Sequence, residues 1–216
     1  MTVVGVLGAA TELGALVSAF AAADPQVAAA VPVHPDGTAD VDALVLLAPG
    51  GGHDDDGTSL GGTDVSGARR VLDRCAASTV VVVSSAMVYG AGPDTPLPIT
   101  EDAPVQPIEG ARHAQDRAAL ERAVRDWQRD RTDATVAVLR PPICIAPSEA
   151  PKWLERSAWH ARSLRQLGRD RPAQFLHLHD LATAIDHARR HRLDGAFNVA
   201  PDGWLTARVQ LELVGA

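Results

Sequence analysis

His113 and Arg117 stand four residues apart on a segment whose apolar positions keep the same beat. Across Glu109–Arg131, the residues His113, Arg117, Leu120, Val124 and Trp127 recur at helical spacing and so share one inward face. An imidazole moves protons near neutral pH, because its unperturbed pKa is ~6.5. A guanidinium stays charged and presents its N–H donors in a fixed fork. A second reactive-looking segment is Gly8-Ala-Ala-Thr-Glu-Leu-Gly14, directly after the apolar run Thr2–Leu7. Glycines in such a turn let backbone amides approach a phosphate at a helix N-terminus. Thr11 puts a β-branched side chain in the middle of that turn and offers a phosphate its hydroxyl. Glu12 adds a negative charge beside it, so weak dinucleotide affinity is expected.

These groups need a frame, and the chain alternates the elements of one. Strands are expected at Thr2–Leu7, Val27–Val33, Val41–Ala48, Thr79–Ser84, Ala134–Leu139, Gln174–Leu178 and Ala196–Val199. Helices are expected at Leu13–Ala23, Asp64–Ala77, Glu109–Arg131, Lys152–Leu167 and Leu181–His191. Val41–Ala48 and Thr79–Ser84 are continuous apolar runs, as in a parallel sheet buried on both faces. Strand–helix alternation then implies right-handed crossovers and a doubly wound, mostly parallel sheet. Pro49–Gly62 and Gly90–Pro107 read as loops.

Composition narrows the class further. The 216 residues carry 46% hydrophobic and 4% aromatic residues, which suits a packed α/β protein and not a disordered one. A net charge of −7 argues against a non-specific nucleic-acid surface. No cation precedes Arg69; the later arginines read as solvated helix faces. Cys75 and Cys144 form no disulfide or CxxC pattern, which fits a reducing cytoplasm. The opening run to Ala23 lacks a positive start and contains Glu12, so it is not expected to be a signal peptide. No stretch reaches the roughly 18 apolar residues that span a bilayer. No metal site is expected. His53-Asp54-Asp55-Asp56 reads as solvated loop, and alternation puts His177 and His179 on one face of a short strand before Asp180. Ser84 and Ser85 lack the GxSxG elbow of hydrolases. Trp153 and Trp159 read as core packing, and Tyr89 as the source of a structural hydrogen bond.

Several motifs fall in order along the chain: Gly8, Thr11 and Gly14 at GxxGxxG positions, Val41–Ala48, Asp64-Val-Ser-Gly67, Ser84-Ser-Ala-Met-Val-Tyr-Gly90, Thr100-Glu-Asp-Ala-Pro104, Leu139–Pro147, Phe175–Ala184 and Phe197-Asn-Val199. In these the chain resembles the extended short-chain dehydrogenase/reductase family, the NAD-dependent epimerase/dehydratase group. The resemblance implies a Rossmann-type sheet over residues 1–147 and a substrate region over 148–216, with 174–199 returning to the core. It places a catalytic hydroxyl at Ser85. It also implies cofactor contacts at Gly8, Ala10, Thr11, Glu12, Leu13, Gly14, Leu47, Ala48, Val83 and Pro141. Asp36, after the second strand, is either a ribose ligand or a turn-former before Gly37.

The same resemblance exposes departures. The family's YxxxK pair falls on His113 and Arg117, with Glu121 fixing the register, and the chain holds one tyrosine, Tyr89, and one lysine, Lys152. About one βα unit is missing between the glycine turn and Val41, so an edge strand is expected to be absent. The segment between Pro147 and Phe175 is reduced to about one helix. Two readings follow. One is a degenerate Rossmann protein, regulatory or scaffolding, with weak or absent cofactor turnover. The other is an active oxidoreductase or epimerase on a small hydroxy, keto or sugar substrate through Ser85 and His113. NAD is the expected cofactor if one binds; the lack of an early arginine disfavours NADP. A homodimer through the helices at 64–77 and 109–130 is also expected, as the family pairs them.

Overall fold

The computed structural model describes residues 1–37, 40–47, 65–90, 98–146 and 172–213. Six strands form one parallel sheet: β1 (Thr2–Leu7), β2 (Val27–Val33), β3 (Ala43–Leu47), β4 (Thr79–Val83), β5 (Thr135–Arg140) and, last in the chain, β8 (Gly195–Asn198). Their order is β2-β1-β3-β4-β5-β8, with every neighbouring pair parallel. No strand lies beyond β2 among the described residues, which leaves an edge where a further strand was expected to be missing. Between β5 and β8 the chain makes a small two-stranded parallel sheet, β6 (Ile143–Ile145) with β7 (Phe175–His177).

The central strands are apolar along their whole length because both of their faces are covered. Leu44, Leu46, Val80, Val82, Val136 and Val138 face α2 (Val65–Arg74) and α3 (Arg112–Arg129), packing with Leu72, Leu120, Val124 and Trp127. Val45, Leu47, Val81, Val83, Ala137 and Leu139 face the other way. There they meet α1 (Glu12–Ala23) and α4 (Leu178–Arg190) through Leu13, Val17, Leu181 and Ile185. The indole N–H of Trp127 donates to the Leu72 carbonyl at 2.8 Å, fixing α3 against α2. On the opposite face Arg189 donates to Asp24 at 2.7 Å and so ties α4 to the end of α1. A last helix, α5 (Ala207–Leu213), closes the described chain.

Several boundaries differ from expectation for visible reasons. The long helix begins at Arg112 and not at Glu109, because Gly110 takes a left-handed conformation (φ 82°) that no helix continues. α4 starts at Leu178, three residues early. His177 ends β7 and caps the helix, its ring Nδ1 accepting from the His179 amide at 3.1 Å. The two histidines therefore do not line one strand face; His179 sits in the first turn of α4 with its ring edge-on to Phe20. β3 begins at Ala43 and not Val41, and α2 ends at Arg74 and not Ala77. β6, α5 and a short 3-10 helix at Ala86–Tyr89 were not foreseen. The helix expected at 152–167, with Trp153, Trp159 and Lys152, lies outside the described residues, as do His53, Asp54, Asp55, Asp56 and Ala48.

Candidate active site

An open parallel sheet binds ligands outside the carboxyl ends of its strands, where the winding direction reverses. Here β2 lies on one side of β1 and β3 on the other, so that reversal falls between β1 and β3. The turn after β1 begins there. Gly8 has a φ of 94°, and a Cβ added to Gly14 would lie 2.3 Å from the Gly8 carbonyl oxygen. Only glycine fits either position. Thr11 is the N-cap of α1: its hydroxyl donates to the Gly8 carbonyl at 2.8 Å and accepts from the Gly14 amide at 3.0 Å. The hydroxyl is thereby engaged at both ends within the turn, against the expectation that it would serve a phosphate. Leu13 and Gly14 are buried beneath the turn, while Ala10 and Glu12 are exposed on it.

This turn fits a dinucleotide in backbone shape and opposes it in charge. The close helix–strand approach that a pyrophosphate needs is present, yet Glu12 opens the first turn of α1 with a carboxylate. Leu47, at the end of β3, pairs in register with Val83 at the end of β4, so both expected contacts line adjacent strand ends. Asp36 is exposed after β2 and forms an ion pair with Arg70 of α2 at 3.2 Å. That arginine was missed by linear reading, because 34 positions of sequence separate two residues that the fold brings together.

The chemistry-bearing groups gather at the ends of β4 and β5. β4 runs into Ser84 and Ser85; the Ser84 amide donates to Leu139 and the Ala86 amide to Pro141, at 2.7 and 2.8 Å. Ser85 is buried and caps the 3-10 helix, its hydroxyl oxygen accepting from the Met87 amide at 3.2 Å. Arg117 lies beneath, 1% exposed, and donates from Nη1 to the Val83 carbonyl at 2.9 Å. Its Nε has no hydrogen-bond partner among the described residues. Burial draws the guanidinium down to about 10, so it stays charged at neutral pH. Next to it the Cys144 thiol is pushed up to about 12 by burial and stays neutral. His113 lies one turn earlier on α3 and is half-buried. The structure thus brings Ser85, Val83, Pro141 and Arg117 to one place and puts His113 on the same helix as Arg117.

One network behind the site was not read from the sequence. Glu121, fully buried, accepts from Ser84 Oγ at 2.5 Å, from Arg140 at 3.0 and 2.8 Å, and from Arg125 at 2.8 Å. Arg140 also donates to the Tyr89 hydroxyl at 2.7 Å, and that hydroxyl donates to Asn198 Oδ1 at 2.7 Å. Tyr89 therefore makes a structural hydrogen bond. The Asn198 amide completes the chain to the Glu101 carboxylate at 2.8 Å. Burial alone would raise the Glu121 carboxyl, but Arg140, Ser84 and Arg125 outweigh it and hold the group below the usual range. Arg140 is raised in step, its own burial outweighed by Glu121 and Tyr89. The only sequence signal was Glu121 itself, four residues past Arg117.

The NAD dependent epimerase/dehydratase family matches residues 35–200, a span that begins after the glycine turn. Uncharacterised proteins of Mycobacterium tuberculosis and Mycobacterium bovis are 30% identical over 146 residues, 66% of this chain. The chain spans 39% of the length of those curated relatives. Among solved structures, a UDP-N-acetylglucosamine 4-epimerase from Bacillus cereus superposes with a TM-score of 0.73 at 20% identity, covering 99% of this chain and 84% of that one. A short-chain dehydrogenase/reductase superfamily protein from Agrobacterium tumefaciens with bound NAD gives 0.75 at 19% identity, covering 99% and 82%. RMD from Pseudomonas aeruginosa complexed with NADPH gives 0.74 at 22% identity, covering 99% and 83%. At such identities the likeness carries the fold alone.

Proposed function

We propose, from the premise that the chain belongs to the NAD dependent epimerase/dehydratase family, that it is a member with weak or absent cofactor turnover and a regulatory or scaffolding role. The observation that carries this reading is Arg117. Where the family has a lysine for the nicotinamide ribose, this chain has a guanidinium that is 1% exposed and bonded to the Val83 carbonyl. Its partner position holds an imidazole and not a phenol. In this reading residues 1–147 are the dinucleotide domain and 148–216 a reduced substrate region, in a cytoplasmic protein.

A second reading is favoured by Ser85, whose hydroxyl accepts from Met87 and has its own proton left to donate. With His113 on the neighbouring helix, Ser85 would orient the oxygen of a small hydroxy, keto or sugar substrate while His113 took or returned its proton. A bound nicotinamide would supply the hydride acceptor or donor. Asp36 would hold a ribose hydroxyl of NAD, and Arg70, paired with it at 3.2 Å, would offer a cation to the 2′-phosphate of NADP.

A titration separates the readings. NAD+, NADH and NADPH are added to the protein and followed by fluorescence and thermal shift. The degenerate reading expects no saturable shift up to millimolar cofactor. Saturable binding, with turnover on a small substrate that is lost in His113→Ala, would establish the active reading instead.

We also place a homodimer in this proposal, formed by α2 and α3. Their outer faces expose both signs of charge, Arg69, Arg70, Arg122, Arg125 and Arg129 with Asp73 and Asp126, and no large exposed hydrophobic lies on either helix. Such an interface would be polar and screened by salt. Sizing chromatography should give a dimer at low ionic strength that shifts toward monomer in high salt. A monomer mass at low salt would remove the dimer from the account.

A further inference from the structure

Three arginines are buried among the described residues, and the fold treats one of them differently. Arg140 is held bidentately by Glu121, and Arg189 by Asp24 and Asp186. Arg117 is the most deeply buried of the three and makes no ion pair with a carboxylate among the described residues: one carbonyl accepts from Nη1, and Nε is unpartnered.

The groups near Arg117 do not supply the missing charge. Its partner one turn along α3 is Glu121, the spacing at which helix ion pairs form. Both Glu121 oxygens, however, are taken by Ser84, Arg140 and Arg125. Asp116, the adjacent residue, acts on Arg117 only through space and makes no hydrogen bond with it; its ion pair is with Arg112 at 4.0 Å. Cys144 is the remaining neighbour that carries a titratable group, and its thiol is neutral at physiological pH. A buried cation without a counter-charge in contact is costly, and proteins keep one where something completes it. The location says what that is. Arg117 is bonded to the Val83 carbonyl at the carboxyl end of β4, the ligand side of the sheet, two residues before Ser85, whose hydroxyl has a proton to donate. The same helix face reaches solvent one turn earlier at the half-buried His113.

We propose that Arg117, with Ser85, forms a binding site for an oxyanion, so that the ligand of this cleft carries a carboxylate or phosphate group and is not a neutral alcohol or sugar. This rests on the proposed function only for the position of the cleft; it holds whether or not hydride transfer survives.

The test follows thermal unfolding of the full chain in increasing sodium phosphate or sodium acetate, with ionic strength held constant by sodium chloride and no dinucleotide present. A saturable rise in Tm is expected with at least one of the two. A response to phosphate alone assigns a phosphate-bearing ligand, and one to acetate alone a carboxylate. In Arg117→Met the half-saturation concentration should rise about 30-fold or more, since truncating one partner of a buried charge pair costs that much; Arg117→Lys should keep part of the response. In chloride alone, Arg117→Met should be at least as stable as the parent, because an uncompensated charge has been removed. The proposal is overturned by no saturable rise in the parent, by an equal rise in Arg117→Met, or by an Arg117→Met protein that is strongly destabilised or unfolded, which would make Arg117 a structural residue. None of these results bears on the dinucleotide titration, so the two proposals fail separately.

Discussion

Glu121→Gln should lower stability by about 3 kcal/mol, because removing one member of a buried ion pair strands the other. In a chain of this size that corresponds to a fall in Tm of roughly 10 °C. The carboxylate has three donors converging on it, and Arg140 is itself only 3% exposed. Gln offers one acceptor oxygen and no charge, so Arg140 keeps Tyr89 and the Glu101 carbonyl but loses its counter-ion. The double variant Glu121→Met with Arg140→Met should recover much of the loss, since it removes both charges together. Thermal unfolding of the parent, Glu121→Met, Arg140→Met and the double variant closes the cycle; a near-additive result would show that the pair is not coupled. The pH dependence has a definite sign. The Glu121 carboxyl is held below its usual range, so its contribution is present above the unfolded value of ~4.3 and is lost as pH falls through the folded one. The parent should lose stability relative to Glu121→Gln below about pH 4.

That network also marks where the sequence stops being legible. Glu101, Glu121, Arg140, Tyr89 and Asn198 come from a loop, α3, β5, a 3-10 helix and β8, and no local pattern joins them. The sheet was legible for the opposite reason. Val80 and Val82 face one layer and Val81 and Val83 the other, so a strand with both faces covered announces itself as an uninterrupted apolar run. β6 left no such mark. Ile143–Ile145 is three residues long, follows two prolines, and exists because Phe175–His177 lies beside it some thirty residues later. His179 was misplaced because alternation was carried past the end of β7; His177 does end that strand, and its ring takes a capping role that serine or aspartate more often fills.

The site divides along the same line. That His113 and Arg117 share a helix turn follows from spacing alone. What Arg117 touches does not: the Val83 carbonyl, the neutral Cys144 and the absent carboxylate appear only once β4, β5 and α3 are stacked. The Asp36–Arg70 pair was hidden similarly, and the argument from a chain without early cations overlooked a cation delivered from α2. Residue types in order describe what a face can carry. Which charges meet is a property of crossovers.

The glycine turn offers the second large effect, in Gly14→Ala. The added Cβ would lie 2.3 Å from the Gly8 oxygen, 2.7 Å from Ala9 Cα and 2.8 Å from the Ala9 carbonyl carbon. All three are backbone atoms, so no rotamer relieves the contact. α1 cannot simply retreat either: Leu13, Val17 and Ala21 anchor it in the core, and the Thr11 hydroxyl bridges Gly8 to the Gly14 amide. The turn must open and give up that bridge, at a cost of about 1–3 kcal/mol. Gly203→Ala is the matched control, because a Cβ there meets nothing within 4 Å. Chemical denaturation should leave Gly203→Ala close to the parent and shift the Gly14→Ala midpoint downward. If the parent binds any dinucleotide, Gly14→Ala should lose that binding, since the backbone amides would no longer approach the pyrophosphate. Equal stability of Gly14→Ala and Gly203→Ala would mean that the close approach of α1 to β1 is not a feature of the folded protein, and the ligand crevice derived from it would go with it.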